Sequence, residues 1–208
     1  MTKIDYKKEW KHLFKPSSKD FEIVDVPEMN FIMVDGHGDP NTAESYLQAV
    51  EALYAAAYKI KFHSKNIIKR DYVVPPLEGL WWADDMDSFT AARDKSTWDW
   101  TMMIMQPEWI GAEVLESVKP EVMKSKNLPA LPLVRWERHH EGLSVQILHI
   151  GSYDDEGPTI HRLHVEFLPE NNLAEAGKHH EIYLSDPRKT APEKLKTILR
   201  QPVKKIVI

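Results

Sequence analysis

Glu181 and Tyr183 stand two residues apart in His179-His180-Glu181-Ile182-Tyr183-Leu184, a short run with the alternation of a β-strand. A period of two puts the carboxyl and the phenol on one face and Ile182 and Leu184 on the other. A carboxylate facing a partly dry cavity has its ionised form disfavoured, which raises its basicity and suits it to take a proton from water. The same spacing also describes a solvent-facing glutamate on a one-sided sheet. The second unusual feature is seven tryptophans in 208 residues. Trp98 and Trp100 share a strand face, Trp81 and Trp82 point oppositely on a regular strand, and Trp136 stands in a later strand. Rigid rings around a cavity recognise planar molecules and stabilise developing positive charge. Taken singly, each ring is better explained by core packing; for the group, cage and core both stay open.

Other chemistry finds little support. Gly36-His37-Gly38 follows a strand, but the third glycine of a dinucleotide loop is replaced by Asn41 and Pro40 interrupts the motif. No phosphate-loop, HExxH, GxSxG or EF-hand spacing occurs. The absence of cysteine excludes disulfides, thiolate nucleophiles and cysteine-based zinc sites, and it fits a reducing compartment. Ten histidines raise a metal question. His161 and His164 share a helical face, but His139-His140 and His179-His180 each offer only one ligand to a given site, because adjacent strand residues face opposite ways. We therefore expect no metal and no cofactor.

Net charge is −5, which argues against non-specific nucleic-acid or membrane-surface binding. The N-terminus is too charged for a secretory signal, and no apolar run approaches the ~20 residues needed to cross a bilayer. A soluble, cytoplasmic protein is expected. The apolar share of 42% is enough to fill a core.

The elements that must position these residues follow from periodicity. Residues 1–20 suggest a short docking helix carrying Trp10, Leu13 and Phe14. Phe21 to Val34 predicts two extended runs broken at Val26-Pro27-Glu28. Asn41 and Glu44 resemble a capping box opening a helix to about Lys61, with Tyr54 on a flanking face. Tyr72 to Trp82 predicts a strand interrupted by Pro75 and Pro76, Asp84 to Lys95 a loop, and Trp98 to Gln106 a strand. Ala112 to Lys126 is helical in pattern, with Pro120 permitting a kink or break. The second half predicts strands at Leu131–Glu137 and Leu143–Ile150 joined by a turn at Glu141-Gly142. A loop, a helix around Ile160–Leu168 and a strand at Lys178–Ser185 follow. A capping box at Thr190 and Glu193 would open a last helix through Leu195, Ile198 and Leu199.

Strand–helix–strand–strand therefore occurs twice, an internal repeat of element order. We expect an α+β fold of two such halves (SHS2-like, about 20–110 and 130–208), with antiparallel sheets and a ligand cleft between them, in one domain spanning 1–208.

Asp35-Gly36-His37-Gly38-Asp39-Pro40-Asn41, Pro76-Leu77-Glu78-Gly79-Leu80-Trp81-Trp82, Val145 to Tyr153 and His179 to Arg188 resemble the GyrI-like family of small-molecule-binding proteins. The resemblance implies the duplicated fold, a ligand pocket and a pocket-facing acid on a late strand at Glu181. The tryptophan-rich form is similar to the cyclopropanoid cyclopropyl hydrolase subfamily, which opens the cyclopropane of DNA-alkylating natural products by adding water. On that resemblance Trp81, Trp82, Trp98, Trp100 and Trp136, with Tyr54 and Tyr183, are assigned to an aromatic cage. Many such proteins are fused to a DNA-binding helix-turn-helix; the stretch before residue 20 is too short for one, which weakens a regulator reading. The expected partner is a planar aromatic small molecule. In a hydrolase, Glu181 orients or deprotonates a water and Tyr183 hydrogen-bonds that water or the ligand. The alternative is a sequestering protein without chemistry. A protein-interaction module, which would expose its tryptophans, ranks last.

Overall fold

The computed structural model describes residues 2–83 and 94–206. The polar stretch read as a loop from Asp84 to Lys95 lies outside them, apart from Asp94 and Lys95. In chain order the elements are β1 (Lys3–Ile4), α1 (Tyr6–Glu9), α2 (Lys11–Phe14), β2 (Glu22–His37), α3 (Glu44–His63), β3 (Asp71–Tyr72), β4 (Leu77–Trp82) and β5 (Asp99–Gln106). Then come α4 (Ala112–Ser125), β6 (Arg135–Ile150), α5 (Gly157–Arg162), α6 (Leu168–Glu170), β7 (Leu173–Glu175), β8 (His179–Tyr183) and β9 (Lys196–Lys205). A π-helical turn at Leu163–Phe167 joins α5 to α6.

The main sheet runs β6-β2-β5-β4-β8-β9, and β6 also pairs with β9. Every one of these pairings is antiparallel, so the sheet closes into a six-stranded barrel. Closure removes the unpaired strand edges that an open sheet exposes. Side chains then alternate between the barrel interior and its outer face. Phe31, Met33, Leu80, Met103, Met105, Ile182 and Ile198 belong to the interior cluster, which Tyr6, Leu13 and Phe14 of the N-terminal helices join.

On the outer face, Ile32, Val34, Trp100, Met102 and Ile104 pack against α3 and α4. Helix α3 meets the sheet through Ala49, Ala52, Leu53, Ala56, Ala57 and Ile60, one stripe at helical spacing. The alanines let the helix lie close to the strands. No side chain caps its start: Ala43 holds the cap position, and Asn41 is instead folded into a turn by the Asp39 carboxylate. Helix α4 continues through Pro120.

Three expectations are corrected. Strand β2 runs unbroken through Pro27, because there it pairs only with β6; pairing with β5 begins at Asn30. The missing Pro27 N–H therefore leaves no rung unmade on a second side. Glu141-Gly142 does not reverse the chain. Gly142 takes φ +73° inside a continuous β6 opposite Val26, so the strand bends rather than turns back. The segment after Glu193 is strand β9, preceded by one short helical turn at Pro192–Lys194. Leu195, Ile198 and Leu199 do fit helical spacing, but pairing with β6 and β8 on both sides overrides it.

Among the described residues no helix is long and apolar enough to cross a membrane.

Candidate functional site

Strands β4 and β8 lie side by side, with Leu77 opposite Tyr183, Gly79 opposite Glu181 and Trp81 opposite His179. Alternation turns all six onto the outer face of the barrel. Gly79 makes room at the centre: a Cβ there would meet Trp81 Nε1 at 2.8 Å and Tyr183 Oη at 3.1 Å. Across that gap Trp81 Nε1 donates to Tyr183 Oη at 3.0 Å, and Tyr183 Oη donates to Glu181 Oε2 at 2.8 Å. An indole, a phenol and a carboxylate thus form one directed chain.

A cavity of about 1600 Å³ lies over this face. Helix α3 contributes Tyr46 and Tyr54, the segment before β5 contributes Lys95 and Trp98, and the loop before α5 contributes Tyr153 and Glu156. The rings meet edge to face: Trp81 and Trp98 at 5.8 Å, Tyr153 and Tyr183 at 5.7 Å between centroids. Leu47, Tyr58, Phe62 and Val165 are exposed apolar residues that also line it. Exposed apolar surface gathered around one concavity marks a binding site.

The acids of this cavity are strongly perturbed. Burial pushes Glu181 up to about 7, against the opposing pull of the Tyr183 hydroxyl, His180 and Lys95. Glu156, 4% exposed, is pushed up to about 10, first by burial and then by the neighbouring Glu181. The two carboxyls act on each other on a largely dry cavity wall, which disfavours double ionisation, so the pair holds one proton between them. Burial and the Glu181 carboxylate also raise Tyr183 well above the usual phenol range, which keeps it a hydrogen-bond donor near neutral pH.

The structure gathers Tyr54, Trp81, Trp98, Glu181 and Tyr183 around the cavity and places three other expected cage residues elsewhere. Trp82 lies on the opposite strand face, packed with the interior cluster and capped by Lys178 Nζ at 3.1 Å from its ring centroid. Trp100 is fully buried under Gly36, its Nε1 donating to Gly38 O at 3.2 Å. Trp136 packs on the outer cluster, its Nε1 donating to Ile110 O at 3.0 Å. Strand parity separates Trp82 from Trp81. Trp100 shares a face with the lining but sits beneath it. Glu156, Tyr46 and Tyr153 are cavity residues that sequence reasoning did not single out, and His179, weighed there only as a metal ligand, is another. Nothing in Asp154-Asp155-Glu156 marks the last acid as the one that turns inward.

The sequence profile of the GyrI-like small molecule binding domain matches residues 19–204. The chain belongs to the GyrI-like family. Solved structures agree with the assignment. An uncharacterized conserved protein from Listeria innocua is 44% identical over 97% of this chain and 100% of its own, with a TM-score of 0.89. A Listeria innocua protein described as a hydrolase is 43% identical over 97% and 100%, with a TM-score of 0.85. The C-terminal domain of EcmrR covers 90% of this chain and 98% of its own at 12% identity and a TM-score of 0.57, a likeness of fold alone. No protein with a curated description matches. The family is one of small-molecule-binding domains, and this GyrI-like protein carries an aromatic cavity of about 1600 Å³ over β4 and β8.

Proposed function

We propose that this protein binds planar, apolar small molecules in its aromatic cavity and adds water to a strained cyclopropane conjugated to a carbonyl, as found in DNA-alkylating natural products. The carrying observation is Glu181: a carboxyl raised to about 7 by burial and hydrogen-bonded by Tyr183 on an aromatic cavity wall. A base poised near neutral pH has the basicity that proton abstraction from water requires. The Listeria innocua relative described as a hydrolase supports chemistry over binding alone.

The mechanism uses the chain's own groups. The ligand lies against Trp81, Trp98 and Tyr183. Glu181 removes a proton from a water whose oxygen attacks the cyclopropane methylene. The carbon–carbon bond breaks, and its electrons pass through the conjugated system to the carbonyl oxygen. Glu156, the protonated partner, supplies a proton to that oxygen. Proton transfer from Glu181 to Glu156 resets the pair, and the net change is addition of one water. Ring strain supplies much of the driving force, so acid–base help of about 10²–10⁴-fold is sufficient.

A duplicated architecture underlies the proposed site. Strand β5 lies between β2 and β4 as β9 lies between β6 and β8, and the two sets join through β2–β6 and β4–β8. That pattern supports two strand–helix–strand–strand halves, with the cavity where β4 of one meets β8 of the other.

Mass spectrometry of a cyclopropane-containing alkylator after incubation with the protein tests the function. Catalysis predicts a mass gain of one water over many turnovers. Recovery of unaltered compound at one equivalent bound per chain would instead make the protein a sequestering binder.

A further inference from the structure

His179 is a cavity residue that the mechanism leaves unused. On β8 it shares a face with Glu181 and Tyr183, each about 7 Å from the next along the strand. Its Nε2 lies 3.7 Å from Glu181 Oε1. The side chain is 9% exposed and lines the cavity, yet neither ring nitrogen has a hydrogen-bond partner among the described residues. The other buried histidines are engaged: His180 uses both nitrogens on carboxylates, and His149 Nε2 bonds Ser152 O at 3.0 Å.

The surroundings of His179 are already committed. His164 Nδ1 pairs with Glu175 Oε1 at 2.5 Å; the Gln201 side chain is a polar neighbour of His179 but makes no well-formed hydrogen bond to it, its amide donating to Pro202 O at 3.2 Å. A buried polar group left unpaired costs stability, and an apolar ring of the same size would not. Such a cost is expected where a ligand supplies the missing partners.

The charge state narrows the ligand group. Burial, reinforced by His164 and His180 and only partly offset by the Gln201 side chain and Glu141, pushes His179 down to about 3, so the ring is neutral at physiological pH. A neutral imidazole offers one N–H donor and one lone pair. Its complement is an uncharged group carrying both an acceptor and a donor, such as a carboxamide.

We propose that His179 forms a polar recognition subsite at one end of the aromatic cavity and takes an uncharged carboxamide-type group of the ligand, one strand step from Glu181. The inference rests on the cavity being a small-molecule site. A ligand with its reactive carbon at Glu181 and its ring on Trp81 would extend this group toward His179, which makes it a specificity determinant.

The test uses two planar probes of similar shape, 2-naphthamide and 2-isopropylnaphthalene, titrated calorimetrically into the full chain. The wild-type protein is expected to favour the amide about tenfold, the worth of one to two net hydrogen bonds. His179→Phe should bind both probes within about twofold and melt at or above the wild-type temperature. His179→Gln, which keeps a neutral donor and acceptor, should retain a preference for the amide. An unchanged preference in His179→Phe overturns the proposal, as does equal binding of the two probes by wild type. Should His179→Phe melt well below wild type, the ring is structural and the proposal fails. Failure of both probes to bind wild type would overturn the small-molecule reading itself.

Discussion

His179 and His180 are adjacent in the chain and opposite in state. His179 faces the cavity, unpaired and held neutral at about 3. His180 faces the barrel interior. Burial there would also push it down, but the Glu141 and Glu78 carboxylates overcome this and hold it at about 9. Its Nδ1 meets Glu141 at 3.0 Å and its Nε2 meets Glu78 at 2.9 Å. Arg200 joins the cluster, reaching Glu141 at 3.2 Å, Gln146 at 2.9 Å and the Leu13 carbonyl at 2.8 Å. Gln146 in turn donates to His12 O at 2.7 Å. His180, Glu141, Arg200 and Gln146 bond one another and tie α2 to the barrel, whereas His179, on the cavity side of the same strand, makes no such bond. One residue of strand parity separates structure from site.

Breaking the interior set should have the largest effect on stability. Glu141→Gln leaves two buried cations without their shared counter-charge and is expected to cost about 3–5 kcal/mol in denaturant unfolding. A loss under about 1 kcal/mol would mean that this network does not hold the barrel. On the cavity side, Glu156→Gln should lower kcat about a hundredfold while unfolding at a similar denaturant midpoint. Unaltered kcat would remove Glu156 from the proton path.

The pH dependence separates the two faces further. Glu141 is held down at about 2 because His180 and Arg200 outweigh its burial. Its contribution is complete above the ordinary carboxylate value of ~4.3 and is lost as pH falls toward 2. His180 contributes fully below ~6.5 and loses that contribution as pH rises through about 9. Glu181 is raised, so its folded form loses stability as pH climbs from ~4.3 through about 7. Glu181→Gln should therefore stabilise the protein by about 1–3 kcal/mol at pH 8 and not at pH 4. Equal effects at both pH values would mean that Glu181 is not desolvated.

Smaller effects sharpen the boundary of the cavity. Trp98→Ala should weaken binding of a planar aromatic probe about tenfold. Trp136→Ala, whose ring packs outside the cavity, should change the same Kd less than twofold. Calorimetric titration checks both.

How much the sequence disclosed depended on whether a signal was local. Alternation in His179 to Leu184 placed Glu181 and Tyr183 on one face without any tertiary information. The stripe on α3 was equally plain. Trp100 could not be separated from Trp98 by parity, because depth beneath Gly36 is a property of packing rather than spacing. Glu156 was hidden for a related reason: three acids in a row carry no sign of which one the turn directs inward. Strand β9 was misread because its register is set by β6 and β8, far away in the chain. The barrel itself, closed by β6–β9 pairing, was invisible for the same reason.

Glu181 is the base of the proposed water-adding site. Wild type and Glu181→Gln should be compared for turnover of a cyclopropane-containing alkylator, with probe binding measured in parallel. The predicted result is binding within about threefold and turnover reduced about a hundredfold or more. Full turnover by the glutamine variant would contradict the account.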